Sequence, residues 1–154
     1  MDKKLKIMLD TNVYDKLIEQ KSEILGLLKD RTEIFITHVQ YDQLREMSSK
    51  KLDKHKKIFE IIEYFKPTQI PTVSACFGMS NWDEVGWGDE TGNFEAIQVN
   101  NINHSADALI AETTKKNECI LITEEKGSTS LRNKSPRIDL ECINFNELIT
   151  KIEK

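Results

Sequence analysis

The order of elements along the chain predicts an α/β fold with a central parallel sheet of four to five strands and helices on both faces. Three observations predict it. Short apolar, β-branched runs alternate with amphipathic segments over the 154 residues. The run from Cys119 to Thr123 is apolar almost throughout, as a parallel strand buried on both faces requires. Acids stand directly after strand runs, where an open parallel sheet keeps its ligands. A length close to the ~150 residues of a typical domain is read as a single domain spanning 1–154.

Each element has its own signal. Lys6-Ile7-Met8-Leu9 is the first strand run, and Asp10 ends it and opens a segment with Val13, Leu17 and Ile18 at helical spacing. Ser22 with Glu23, followed by Ile24, Leu25, Leu27 and Leu28, reads as a capped second helix. Glu33 to Thr37 is β-branched and aromatic enough for a strand, and a helix from Val39 to Met47 follows. Lys51 to Phe65 is amphipathic, with Ile58, Phe59, Ile61, Ile62 and Phe65 inward, and Pro67 stops it. Residues 67 to 92 read as an irregular loop longer than an ordinary connection. Its Trp82 and Trp87 anchor the loop, form a subunit contact, or stack on bases. Ser105 to Lys116 is a strong helix leading into the Cys119–Thr123 strand. A polar loop to Pro136, a strand from Ile138 to Ile143 and a helix from Phe145 to Ile152 complete the alternation.

Composition narrows the function. With 38% hydrophobic and 31% charged residues the chain is neither disordered nor of low complexity. No apolar run approaches the ~20 residues that span a bilayer, and Met1 to Asp10 lacks a secretory core. Cys76, Cys119 and Cys142 show no C-x-x-C spacing and read as reduced thiols, so a cytoplasmic location and no zinc site are expected. The net charge of -4 is unevenly placed: Thr68 to Thr114 holds seven acids and no Lys or Arg, which leaves +3 on the rest. An acidic face with a basic rim is the expectation. Rim candidates are Arg45, Lys50, Lys51, Lys54, Lys56 and Lys57, then Lys126, Arg132, Lys134 and Arg137.

Four acids are candidates for chemistry. Asp10 ends the first strand, Asp107 opens the helix that feeds the apolar strand, Glu125 follows that strand, and Asp42 lies early in the helix after the second. Carboxylates gathered closely repel one another, so either their pKa values rise or a cation neutralises them, and all-oxygen ligation suits Mg²⁺ or Mn²⁺. Taken singly, Asp10 and Asp107 are also ordinary helix caps.

The segments Ile7-Met8-Leu9-Asp10-Thr11-Asn12, Phe35-Ile36-Thr37-His38-Val39-Gln40-Tyr41-Asp42-Gln43-Leu44, Ala106-Asp107-Ala108-Leu109-Ile110-Ala111 and Ile120-Leu121-Ile122-Thr123-Glu124-Glu125-Lys126 follow one another over nearly the whole chain. In this order they resemble the PIN domain family of metal-dependent ribonucleases, which includes many toxins of toxin–antitoxin pairs. The resemblance implies that Asp10, Asp107 and Glu125 bind Mg²⁺ or Mn²⁺ and that Asn12 and Thr123 orient them by hydrogen bonds. It further implies hydrolysis of RNA to a 5′ phosphate, an antitoxin protein as a partner, and pairing into a homodimer. Two positions depart from the family. Gln43 stands where Glu is usual, and Glu125 where Asp is usual. An amide carries no negative charge, so a PIN-like module that binds RNA or protein without cleaving it is the second reading, with Asp42 as the nearby acid. A third, a different α/β phosphoryl-transfer protein, lacks the second acid of a D-x-D pair, since Asp10-Thr11-Asn12 stands there.

Overall fold

The computed structural model describes residues 3–48, 52–72, 105–124 and 139–154, with the side chains of 46–48, 52, 55 and 105–107 excepted. The elements run β1 (Leu5–Leu9), α1 (Val13–Ile18), α2 (Ser22–Arg31), β2 (Thr32–Ile36), α3 (His38–Ser48), α4 (Leu52–Phe65), β3 (Thr68–Gln69), α5 (Ser105–Lys116), β4 (Ile120–Ile122), β5 (Cys142–Ile143) and α6 (Phe145–Glu153). The five strands form one parallel sheet in the order β3-β2-β1-β4-β5. Among the described residues no helix is long and apolar enough to cross a membrane.

Alternation within the strands divides the core. Ile7, Leu9, Ile34, Ile36, Ile120 and Ile122 point to one face, where side chains of α1, α2, α4 and α6 cover them. Met8, Phe35, Leu121 and Cys142 point to the other, against Ala108 to Ala111 of α5. Burial on both faces is why the strand runs carry so few polar residues. α3 joins the two layers, with Leu44 in the first cluster and Val39 in the second.

The structure differs from the sequence reading at several ends. α2 is not capped by Ser22: Lys21 takes the extended N-cap conformation (φ -72°, ψ 153°), no side chain caps the helix, and Ser22 is already its first helical residue. β2 begins at Thr32 and releases Thr37, which helps to start α3. Pro67 lies two residues past the end of α4, and the chain turns through Lys66 at φ 48°. The stretch read as irregular from residue 67 opens with β3, which pairs Phe35 with Thr68 and Ile36 with Gln69 at the sheet edge. Both β3 residues are exposed, so no apolar pattern announces it. β5 is confined to Cys142–Ile143, with Asp139 before it at φ 54°. Trp82, Trp87, Cys76 and Ile138 lie outside the described residues.

α5 ends without glycine. The Cys119 N–H donates to the Thr114 carbonyl (3.0 Å) and the Glu118 N–H to that of Lys115 (3.1 Å), with Glu118 at φ 56°. This six-to-one closure turns the chain sharply into β4.

Candidate functional site

β1 lies between β2 and β4, and the chain moves from one side of β1 to the other between β3 and β4. The crevice of such a sheet opens beyond the carboxyl ends of β1 and β4. The Asp10 N–H still donates to the Ile122 carbonyl at 2.8 Å, so Asp10 is held against β4 at the mouth of that crevice. Only 6% of its surface is exposed.

The Asp10 carboxylate accepts from the Thr11 N–H at Oδ1 (2.8 Å) and from the Thr123 hydroxyl at Oδ2 (2.9 Å). Both donors are neutral, so they aim the carboxylate without competing for its charge. Asn12 Nδ2 donates in turn to Thr123 Oγ1 at 3.4 Å, and Asn12 Oδ1 accepts the Glu124 N–H at 3.1 Å. Asn12 stands at the N-cap of α1 yet makes no side-chain cap bond. Side chains suited to capping therefore serve the strand end.

α3 approaches the same strand end through Gln40, which is fully buried. Gln40 Oε1 accepts the Thr37 N–H (2.8 Å) while the Gln40 N–H reaches Thr37 Oγ1 (3.4 Å), a reciprocal cap at the start of the helix. Gln40 Nε2 donates to the Leu9 carbonyl at 2.7 Å, one residue before Asp10. Glutamine alone can do both, because an ionised Glu has no donor for Leu9. Gln43 lies three positions on, which puts it near the same side of the helix. It is half-buried, and its Oε1 is buried with no hydrogen-bond partner among the described residues. Asp42 is exposed.

The helix entering a parallel strand runs back along the sheet, so the start of α5 lies toward the carboxyl ends of the strands. Thr114 fixes its level, with Oγ1 3.2 Å from Met8 Sδ. Asp107 is seven residues earlier, about 10 Å along the helix axis toward the crevice end. Its side chain lies outside the described set, as do Glu125 and Lys126. Of the predicted site residues, the structure brings Asp10, Asn12 and Thr123 together. Glu112 on α5, 2% exposed, is the other buried carboxylate among the described residues. Among those residues no three His, Cys, Asp or Glu side chains gather closely enough to hold a metal ion.

The described donors nevertheless suit a hard divalent cation. They are oxygens: the aimed carboxylate of Asp10 and the orphaned amide oxygen of Gln43. The basic residues expected at a rim differ in their surroundings. Arg45 stacks over the Tyr41 ring (4.7 Å to the centroid) and Lys54 pairs with Asp15 (2.7 Å), while Lys56 and Lys57 are exposed. Lys50, Lys51, Arg132, Lys134 and Arg137 lie outside the described residues. Cys119 and Cys142 are not joined in a disulfide, and burial pushes the Cys119 thiol up to about 11, with Lys6 lowering it and Glu33 raising it by smaller amounts. Burial also raises the Tyr14 hydroxyl, whose oxygen has no hydrogen-bond partner among the described residues.

Sequence reasoning missed two residues. Gln40 carried a signal, since Thr37-His38-Val39-Gln40 is a T-x-x-Q capping box directly after a strand. Glu124 carried none, because its partners come from α1 and α6.

No family model matches the chain, and no curated protein is similar to it at a significant level. Among solved structures it is similar to the crystal structure of FitAcB from Neisseria gonorrhoeae, at 19% identity and a TM-score of 0.51, over 90% of this chain and 96% of that one. Likeness at this identity shows the fold: an α/β arrangement with a five-stranded parallel sheet flanked by helices, PIN-like in its layout.

Proposed function

We propose that this chain is a divalent-metal-dependent endoribonuclease, using Mg²⁺ or Mn²⁺, that acts in the cytoplasm as the toxin of a toxin–antitoxin pair. The observation that carries the reading is the Asp10 carboxylate, buried at the switch point of the sheet and aimed by Thr11 and Thr123. When bound, the metal polarises the scissile phosphate and lowers the pKa of the attacking water. Asp10 would hold it, with Asp107 and Glu125 as the further ligands that the resemblance implies and Gln43 Oε1 as a neutral oxygen beside them. Asn12 and Thr123 keep Asp10 in one rotamer, so no reorganisation is needed when the ion binds. Lys56, Lys57 and Lys126 are candidates to meet phosphates of the RNA on either side of the cut. RNA as substrate, an antitoxin protein and a second copy of the chain as partners belong to this proposal and rest on the resemblance.

Gln43 favours a second reading, in which the same surface binds RNA or protein without turnover. An amide in place of a carboxylate removes one negative charge from the donor set, and a hard cation is held less tightly. One experiment separates the two. Mixed RNAs are incubated with Mg²⁺ or Mn²⁺, against a chelator, using wild type, Asp10→Asn, Asp107→Asn and Gln43→Glu. Weak metal-dependent cleavage by wild type, faster cleavage by Gln43→Glu and none by the two asparagine variants is the expected outcome. If all four are equally inert while wild type binds RNA or a protein partner, the binding module replaces the nuclease.

A further inference from the structure

Glu124 is bound at both ends. Its N–H donates to Asn12 Oδ1 (3.1 Å), and its Oε1 accepts the Phe145 N–H at 2.7 Å. Phe145 is the first residue of α6, and its amide is one of the four donors that a helix start leaves without an intrahelical acceptor. A capping box accompanies this bond: Asn144 Oδ1 accepts the Glu147 N–H (2.8 Å) and Glu147 Oε1 accepts that of Asn144 (3.2 Å). A carboxylate at a helix start is also favoured by the helix dipole. The turn after β4 is thus clamped between Asn12 on one side and α6 on the other, and Asn12 continues through Thr123 to Asp10.

From this we infer that Glu124 is a positioning residue: by tying the first turn of α6 to the Asn12–Thr123–Asp10 chain, it holds the Asp10 carboxylate in its metal-binding pose. The inference deepens the proposed metal site and rests on that reading for its functional consequence. It also divides the labour of the Glu124-Glu125 pair, since the carboxylate of Glu124 is committed to α6.

The test uses Glu124→Ala, Glu124→Gln and Asn144→Ala. Glutamine keeps an oxygen that accepts from Phe145, so it should rescue what alanine loses. Asn144→Ala weakens the same helix start without touching the β4 turn, and so controls for a merely structural role. In metal-free protein, Glu124→Ala should speed hydrogen exchange of the Glu124 and Thr11 amides about tenfold or more, while Glu124→Gln and Asn144→Ala leave them near wild type. In calorimetric Mn²⁺ titrations, Glu124→Ala should weaken binding by about 10–100-fold, the usual range for partners that orient a ligand, with Glu124→Gln near wild type. Unchanged exchange in Glu124→Ala, or equal effects of Glu124→Ala and Asn144→Ala on both readouts, overturns the positioning role. Absence of Mn²⁺ uptake by wild type overturns the metal site instead, and the exchange data alone then decide the coupling.

Discussion

Thr123→Val removes one hydroxyl from the Asp10 network and leaves the shape of the side chain. Thr123 is buried, with 1% of its surface exposed, and its Oγ1 is 2.9 Å from Asp10 Oδ2. A hydrogen bond to a charged group contributes about 1.5–3 kcal/mol net, and the carboxylate left behind stays desolvated. The bond from Asn12 Nδ2 is long at 3.4 Å and adds little. A loss of about 2–3 kcal/mol follows, which for a chain of this size is roughly 4–12 °C in melting temperature. Thr123→Ser keeps the hydroxyl and loses one buried methyl, worth about 1 kcal/mol. Urea and thermal denaturation in metal-free buffer should therefore rank wild type above serine and serine above valine. A valine variant as stable as the serine variant would refute the hydrogen-bonded role of Thr123.

Other perturbations test separate parts of the fold. Tyr14→Phe should stabilise the protein by about 1 kcal/mol in urea denaturation, because it deletes a buried hydroxyl without a described partner and leaves the ring packing intact; a loss of more than about 1 kcal/mol would reveal a bond to that oxygen. Gln40→Glu should cost about 3 kcal/mol or more at pH 7, since a carboxylate oxygen replaces the donor 2.7 Å from the Leu9 carbonyl. Burial raises the folded-state pKa of that introduced acid above its unfolded value, so the cost should shrink as the pH falls and grow as it rises; a pH-independent cost contradicts the geometry. Glu118→Gly should stabilise by about 0.5–1 kcal/mol, because Glu118 is exposed at φ 56°, where glycine carries no steric penalty; a destabilised variant in thermal melts contradicts this. Cys119, buried and pushed up to about 11, should resist iodoacetamide at pH 8 until the protein unfolds, with peptide mass spectrometry as the measurement.

The sheet was readable in the chain because both of its faces are covered. Ile7-Met8-Leu9 and Ile120-Leu121-Ile122 alternate between two cores, so no polar residue interrupts them, and Asp10 marks the point where β1 reaches the crevice. β3 was not readable, since two exposed residues paired at a sheet edge need no apolar pattern. Asn12 stands at a helix start, where Asn ordinarily caps, yet its amide bonds Thr123 and Glu124 beyond β4, a preference that only tertiary structure creates. Of two adjacent glutamates after β4, local sequence gave no reason to separate them. The difference lies in Phe145, 21 positions away, whose amide Glu124 accepts. Gln40 differs again, because its cap to Thr37 is local and follows a known spacing, whereas its bond to Leu9 crosses from α3 to β1.

Thr123 and Asp10 are separated by 113 positions, and neither β1 nor β4 can hold the carboxylate alone. During synthesis Asp10 emerges early, but its hydroxyl partner does not exist until nearly all of the sheet has been translated. A nascent polypeptide on the ribosome therefore carries an unaligned Asp10 until β4 has docked.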